Sequence, residues 1–182
     1  MLNVPNSITL VRLGLIPVTA YYLWVEAYGI ALPIFLAAAL SDFVDGYIAR
    51  KFKITSALGA ALDPVADKLL MLVTTVLLAW HELVPIWLAI AIVTRDIIIV
   101  VGALAYRLVI GRLQIAPTWL SKVNTFIELL VLLLVMAGAA GWIAGGAWMA
   151  ALFLIVFVSV VASGAQYVWL WGRKAYARSS VP

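Results

Sequence analysis

From Ile8 to Trp171 the chain is a succession of six apolar runs, each close to bilayer length and separated from the next by a short break. Crossing the hydrocarbon core takes about 20 apolar residues, and in lipid every backbone N–H and C=O must be bonded within the segment itself, so such runs are read as spanning helices. Hydropathy and breakers put them at Ile8–Ala27, Ala31–Arg50, Ser56–Trp80, Leu83–Leu108, Trp119–Ala140 and Ala147–Trp171. The expected fold is all-α: a polytopic membrane protein with six transmembrane helices. Nothing repeats and no linker divides the chain, so residues 1–182 are expected to form a single membrane domain. With 66% hydrophobic and 11% charged residues, the composition leaves no room for a separate soluble domain. The absence of cysteine excludes disulfides, thiolate metal sites and cysteine nucleophiles, and a lone His81 excludes a histidine cluster.

The basic residues set the orientation. They occur near the start (Arg12), between the second and third runs (Arg50, Lys51, Lys53), between the fourth and fifth (Arg107, Arg112, Lys122) and at the end (Arg173, Lys174, Arg178). The other connections, Tyr28–Ile30, His81–Glu82 and Gly141–Gly146, have neither Lys nor Arg. By the positive-inside rule both termini are expected in the cytoplasm. The pI near 9.5 follows from this topology and from attraction to anionic lipid headgroups, so no nucleic-acid partner is needed to explain it. The eight tryptophans lie at or near the ends of the runs, as in an aromatic belt. Asn3 to Ser7 lack the positive region of a signal peptide, and no small-residue cleavage site follows the first run. Pro5, Asn6 and Ser7 are instead expected to form an opening turn and cap for the first helix.

Against this apolar background stand Asp42 and Asp45 in the second run and Asp63 and Asp67 in the third. An unpaired carboxylate at the bilayer centre costs roughly 2.5 kcal/mol or more, so four of them need a reason. Residues three or four apart on a helix share a face about one turn apart, so each pair can grip one ion. The short basic stretch Lys51–Thr55 predicts an antiparallel hairpin that lets the pairs face each other. Counting about 1.5 Å per residue from that turn puts Asp45 and Asp63 on the order of 10 Å deep, within reach of a lipid headgroup and a soluble nucleotide. Clustered carboxylates are the oxygen-rich set that hard divalent cations prefer. Gly46, Ala49, Gly59 and Ala60 interleave with them. Small residues in membrane helices usually signal close helix packing, but here they also leave space beside the carboxylates. Arg50, Lys68 and Arg95 are too few cations, on the wrong faces, to neutralise all four acids as structural ion pairs.

Asp42, Asp45, Gly46, Ala49, Arg50, then eight residues, then Gly59, Asp63 and Asp67 fit DxxDGxxAR followed by GxxxDxxxD. This resembles the signature of the CDP-alcohol phosphatidyltransferase family, with every position filled. Pro5, Asn6, Thr9 and Arg12 are similar to the opening PNxxTxxR of its phosphatidylglycerolphosphate and cardiolipin synthase branch. TRDIII from Thr94, RLQIAPTWLSKVNT from Arg112 to Thr125 and the terminal YVWLWGRK resemble the eukaryotic-type, CDP-diacylglycerol-dependent cardiolipin synthases. The connection from Arg107 to Arg112 is shorter than in the mitochondrial enzymes, which suggests a compact bacterial homologue in the cytoplasmic membrane.

The resemblance implies transfer of a phosphatidyl group from CDP-diacylglycerol to an alcohol with release of CMP, assisted by Mg2+ or Mn2+, with two ions expected. It implies Asp42, Asp45, Asp63 and Asp67 as metal ligands and Asp67 as the general base. Asn6, Thr9, Asp42, Gly46, Ala49, Arg50, Gly59 and Asp63 would hold the CDP moiety. Arg95, Arg112, Ser121, Lys122 and Asn124 are the candidates for the acceptor's phosphate, and Glu128 is a buried charge facing either the site or a cation. The acceptor is expected to be phosphatidylglycerol, giving cardiolipin, with glycerol 3-phosphate as the alternative; a homodimer is also implied. Outside the enzyme class stands an ion transporter, disfavoured because transport sites lie near the midplane on broken helices, often in two related halves.

Overall fold

A computed structural model describes the backbone of residues 4–52, 57–109 and 118–179; within these, side chains are described for residues 11–41, 65–102, 118–170 and 173. Among the described residues the chain is wholly helical: α1 (Val4–Trp24), α2 (Tyr28–Phe52), α3 (Ala57–Trp80), α4 (Ile86–Val109), α5 (Trp119–Ala139) and α6 (Trp148–Ser179). All six apolar runs are therefore helices. Among the described residues, Trp119–Ala139 and Trp148–Leu170 are long and apolar enough to cross a membrane. Large apolar side chains also face outwards, among them Val158, Ile90 and Val100, as a lipid-facing surface requires.

Three boundaries differ from expectation. The break after α1 falls at residues 25–27, and Tyr28, Gly29 and Ile30, expected as a connection, form the first turn of α2. Pro5, Asn6 and Ser7 lie inside α1 rather than forming a turn before it. Proline is well tolerated in a first turn, where its missing N–H has no intrahelical partner to lose, so Pro5 is compatible with this earlier start. α6 runs past Trp171 to Ser179, because hydropathy marks the edge of the bilayer and not the end of a helix. Arg173 lies 5.5 Å over the Trp169 ring, a cation–π contact that holds the basic end of α6 to its own helix.

The chain divides into two compact units. The first comprises Met1–Val84 with Leu132–Gly145. In it α1 packs along both α2 and α3, which also touch each other, and Leu23, Phe35, Ala38, Leu70 and Leu78 are buried in its core. Its three connections without Lys or Arg share one construction. At the end of α1, Ala27 N–H bonds Tyr22 O and Glu26 N–H bonds Leu23 O; at the end of α3, Leu83 bonds Leu78 and Glu82 bonds Ala79; after α5, Trp142 bonds Ala137 and Gly141 bonds Gly138. Each is a Schellman turn whose pivot residue has positive φ: Glu26 at 58°, Glu82 at 60° and Gly141 at 73°. Trp24 and Trp80 stack with centroids 6.3 Å apart, and His81 Nδ1 lies 3.5 Å from Glu26 Oε1. Burial, followed by the nearby Glu26 carboxylate, raises the Tyr28 phenol above its ordinary pKa.

The second unit comprises Pro85–Val131 with Gly146–Pro182. Here α4 packs against α6, with Trp87 meeting Phe157 edge to face. Its interior is partly polar: Arg95, Asn124, Glu128 and Ser163 are all buried.

Candidate functional site

The acidic signature falls wholly on two helices of the first unit. Asp42, Asp45, Gly46, Ala49 and Arg50 are on α2, and Gly59, Asp63 and Asp67 are on α3. Continuous helical backbone gives each aspartate pair the one-turn spacing that puts both members on one face. The side-chain positions of Asp42, Asp45, Ala49, Arg50 and Asp63, with Asn6 and Thr9 on α1, lie outside the described residues, as does the whole of Arg112. Asp67 is half-buried. Among the described residues no three His, Asp or Glu side chains converge. The donor set of four carboxylates on two touching helices fits a hard divalent cation by its chemistry.

α1 brings a further charged residue to this region. Arg12 is fully buried, and its Nε donates to Ser41 Oγ on α2 at 3.3 Å. Ser41 Oγ in turn donates to Ala38 O at 2.7 Å, anchoring the pair to the α2 backbone one residue before Asp42. The sequence placed Arg12 in a topological and motif role only. Its spacing from Pro5 was legible, but its burial against Ser41 is a tertiary fact.

The residues expected to serve the acceptor separate into distinct settings. Arg95 on α4 is 3% exposed. Its Nη1 donates to Asp96 Oδ1 at 2.6 Å, and its Nη2 to Ser121 Oγ on α5 and Ser163 Oγ on α6, both at 2.8 Å. Ser121 is half-buried and Lys122 exposed. Asn124 is buried and bonded on both sides: its Nδ2 donates to Glu128 Oε1 and its Oδ1 accepts from Ser159 Oγ, each at 2.7 Å. Arg95 and Ser121 are thus brought together, whereas Asn124 belongs to a neighbouring network with Glu128. Ser159 and Ser163 were missed by sequence reasoning. The available signal was their i, i+4 spacing on α6 opposite Ser121, Asn124 and Glu128, which follow one face of α5.

Residues 2–171 match the model of the CDP-alcohol phosphatidyltransferase family. The chain is 32% identical over 188 residues to the human cardiolipin synthase (CMP-forming), an alignment covering 94% of this chain and 62% of the human protein. It is 32% identical to the enzyme of that name from Streptomyces coelicolor, covering 79% of this chain and 70% of the relative. It is 33% identical to the CDP-diacylglycerol–glycerol-3-phosphate 3-phosphatidyltransferase of Bacillus subtilis, covering 71% and 74%. The chain spans less than two thirds of the human relative's length. With the signature complete on α2 and α3 and the match running through all six helices, the chain belongs to the CDP-alcohol phosphatidyltransferase family.

Proposed function

We propose that the protein transfers a phosphatidyl group from CDP-diacylglycerol to the hydroxyl of phosphatidylglycerol, giving cardiolipin and CMP. The observation that carries the reading is the complete acidic signature, with its two aspartate pairs on the touching helices α2 and α3 of one unit. Named relatives of both acceptor types match the chain. The SKVNT run from Ser121 to Thr125 favours phosphatidylglycerol; glycerol 3-phosphate is the second reading.

In this mechanism Asp42, Asp45, Asp63 and Asp67 would hold two divalent cations, Mg2+ or Mn2+. When bound, these supply charge neutralisation on the pyrophosphate and polarise the phosphorus under attack. Asn6, Thr9, Gly46, Ala49, Arg50 and Gly59, with Asp42 and Asp63, form the seat of the CDP moiety. Asp67 accepts the proton of the acceptor hydroxyl as its oxygen bonds to the lipid-bearing phosphorus. The phosphorus–oxygen bond to CMP breaks, and CMP leaves with the bonding pair. Arg95, Arg112, Ser121, Lys122 and Asn124 form the acceptor side.

The protein acts as a single domain of six transmembrane helices in a bacterial cytoplasmic membrane, with both termini and the active site on the cytoplasmic side. The alternation of basic connections supports this orientation. Anionic lipids meet its basic surface, and a homodimer is the proposed assembly. The test is CMP release by purified protein. Release is expected only when CDP-diacylglycerol, an alcohol acceptor and Mg2+ or Mn2+ are all present. Cation uptake into vesicles with no CMP release would instead favour a transporter.

A further inference from the structure

A guanidinium has five N–H groups, and those of Arg95 can be accounted for one by one. Nη2 gives its two to Ser121 Oγ and Ser163 Oγ, and Nη1 gives one of its two to Asp96 Oδ1 and keeps the other. Nε has no partner, although the side chain is 3% exposed. Each serine accepts from Arg95 and so keeps a hydroxyl proton to give, yet neither donates it to any described residue. Besides the remaining Nη1 N–H, three unspent donors from α4, α5 and α6 therefore meet at one buried guanidinium: its Nε and the two serine hydroxyls. Buried donors are almost always paired in folded proteins, so a group of three marks a place where an acceptor belongs. Of the three residues Ser121 alone keeps appreciable exposed surface; Arg95 and Ser163 are buried.

The charge of the setting narrows the ligand. Asp96, at 2.6 Å, already offsets the guanidinium. That carboxylate repels a doubly charged phosphomonoester more strongly than a singly charged phosphodiester. A phosphodiester carries one charge and two free oxygens, which suits three hydrogen-bond donors with one balanced cation.

We infer that Ser163, together with Ser121 and the Nε of Arg95, seats the phosphodiester of the acceptor lipid. The inference rests on the reading above that the acceptor carries a phosphate, and it adds Ser163 and a preference for a diester over a monoester. Ser163→Ala removes one donor and loosens Arg95. In mixed micelles it should raise the KM for phosphatidylglycerol about fivefold to tenfold, the weight of one hydrogen bond to a charged group, with the KM for CDP-diacylglycerol within twofold of wild type. Ser163→Thr keeps the hydroxyl and should restore the acceptor KM.

Equal increases in both KM values, or a fall in kcat with both unchanged, would make Ser163 a packing residue and overturn the inference. Should Ser163→Ala fail to fold, Ser121→Ala carries the same expectation: an unchanged acceptor KM there overturns it, and a selective rise upholds it. The wild-type protein run with each acceptor separates the two levels of argument. Transfer to glycerol 3-phosphate alone overturns both the acceptor reading and the diester preference. Transfer to phosphatidylglycerol without a selective effect of either serine overturns only the seat.

Discussion

The Nε of Arg12 on α1 donates to Ser41 Oγ on α2 at 3.3 Å, burying a guanidinium completely one residue before the first aspartate of the signature. A buried charge needs hydrogen-bond partners, and this contact ties α1 to α2. Arg12→Ala should destabilise the first unit by about 3 kcal/mol, from the lost bonds and the cavity left behind. Ser41→Ala should cost about 1 kcal/mol. Thermal unfolding in detergent would compare them; similar losses for the two would argue against Arg12 as the anchor.

Asp67→Asn should lower kcat by about two to four orders of magnitude, as expected for loss of a general base. An amide of the same shape leaves α3 intact, so the unfolding temperature should stay close to that of wild type. A catalytically silent substitution would remove Asp67 from the mechanism.

In the second unit Asn124 is bonded by Glu128 and Ser159 at once. Glu128→Ala takes the acceptor from Asn124 Nδ2 in a buried site and should cost about 1–3 kcal/mol. Glu128→Gln keeps a carbonyl acceptor and should cost less. Equal losses in chemical denaturation would mean that the carboxylate and not the hydrogen bond is what matters there.

The helices were legible because membrane-length apolar runs have few other structures available to them, and the breaks between α3 and α4 and between α5 and α6 fall close to where hydropathy puts them. The start of α1 and the end of α6 were not, since both lie where apolarity no longer reports on helix. The acidic signature was legible as spacing along two helices. The polar interior of the second unit was less so. Arg95 and Ser121 stood out as polar residues in or near apolar sequence, but a serine such as Ser163 pairs with its own helix or with a neighbour equally well, and only tertiary packing decides which.

Glu82 pivots the turn after α3 at φ 60°, a region that costs a side-chain-bearing residue roughly 1 kcal/mol. Glu82→Gly relieves that strain and should stabilise the protein by about 0.5–1 kcal/mol. The measurement is again the unfolding midpoint, and a lowered midpoint would show that the side chain contributes more than its backbone costs.

The central claim is the identity of the acceptor, and lipid product analysis tests it most directly. Purified protein would be given CDP-diacylglycerol, Mg2+ or Mn2+, and equal amounts of phosphatidylglycerol and glycerol 3-phosphate, with products resolved by mass spectrometry. The account predicts cardiolipin and CMP in equal amounts, with neither formed when the divalent cation is chelated. Phosphatidylglycerolphosphate as the only lipid product would contradict it.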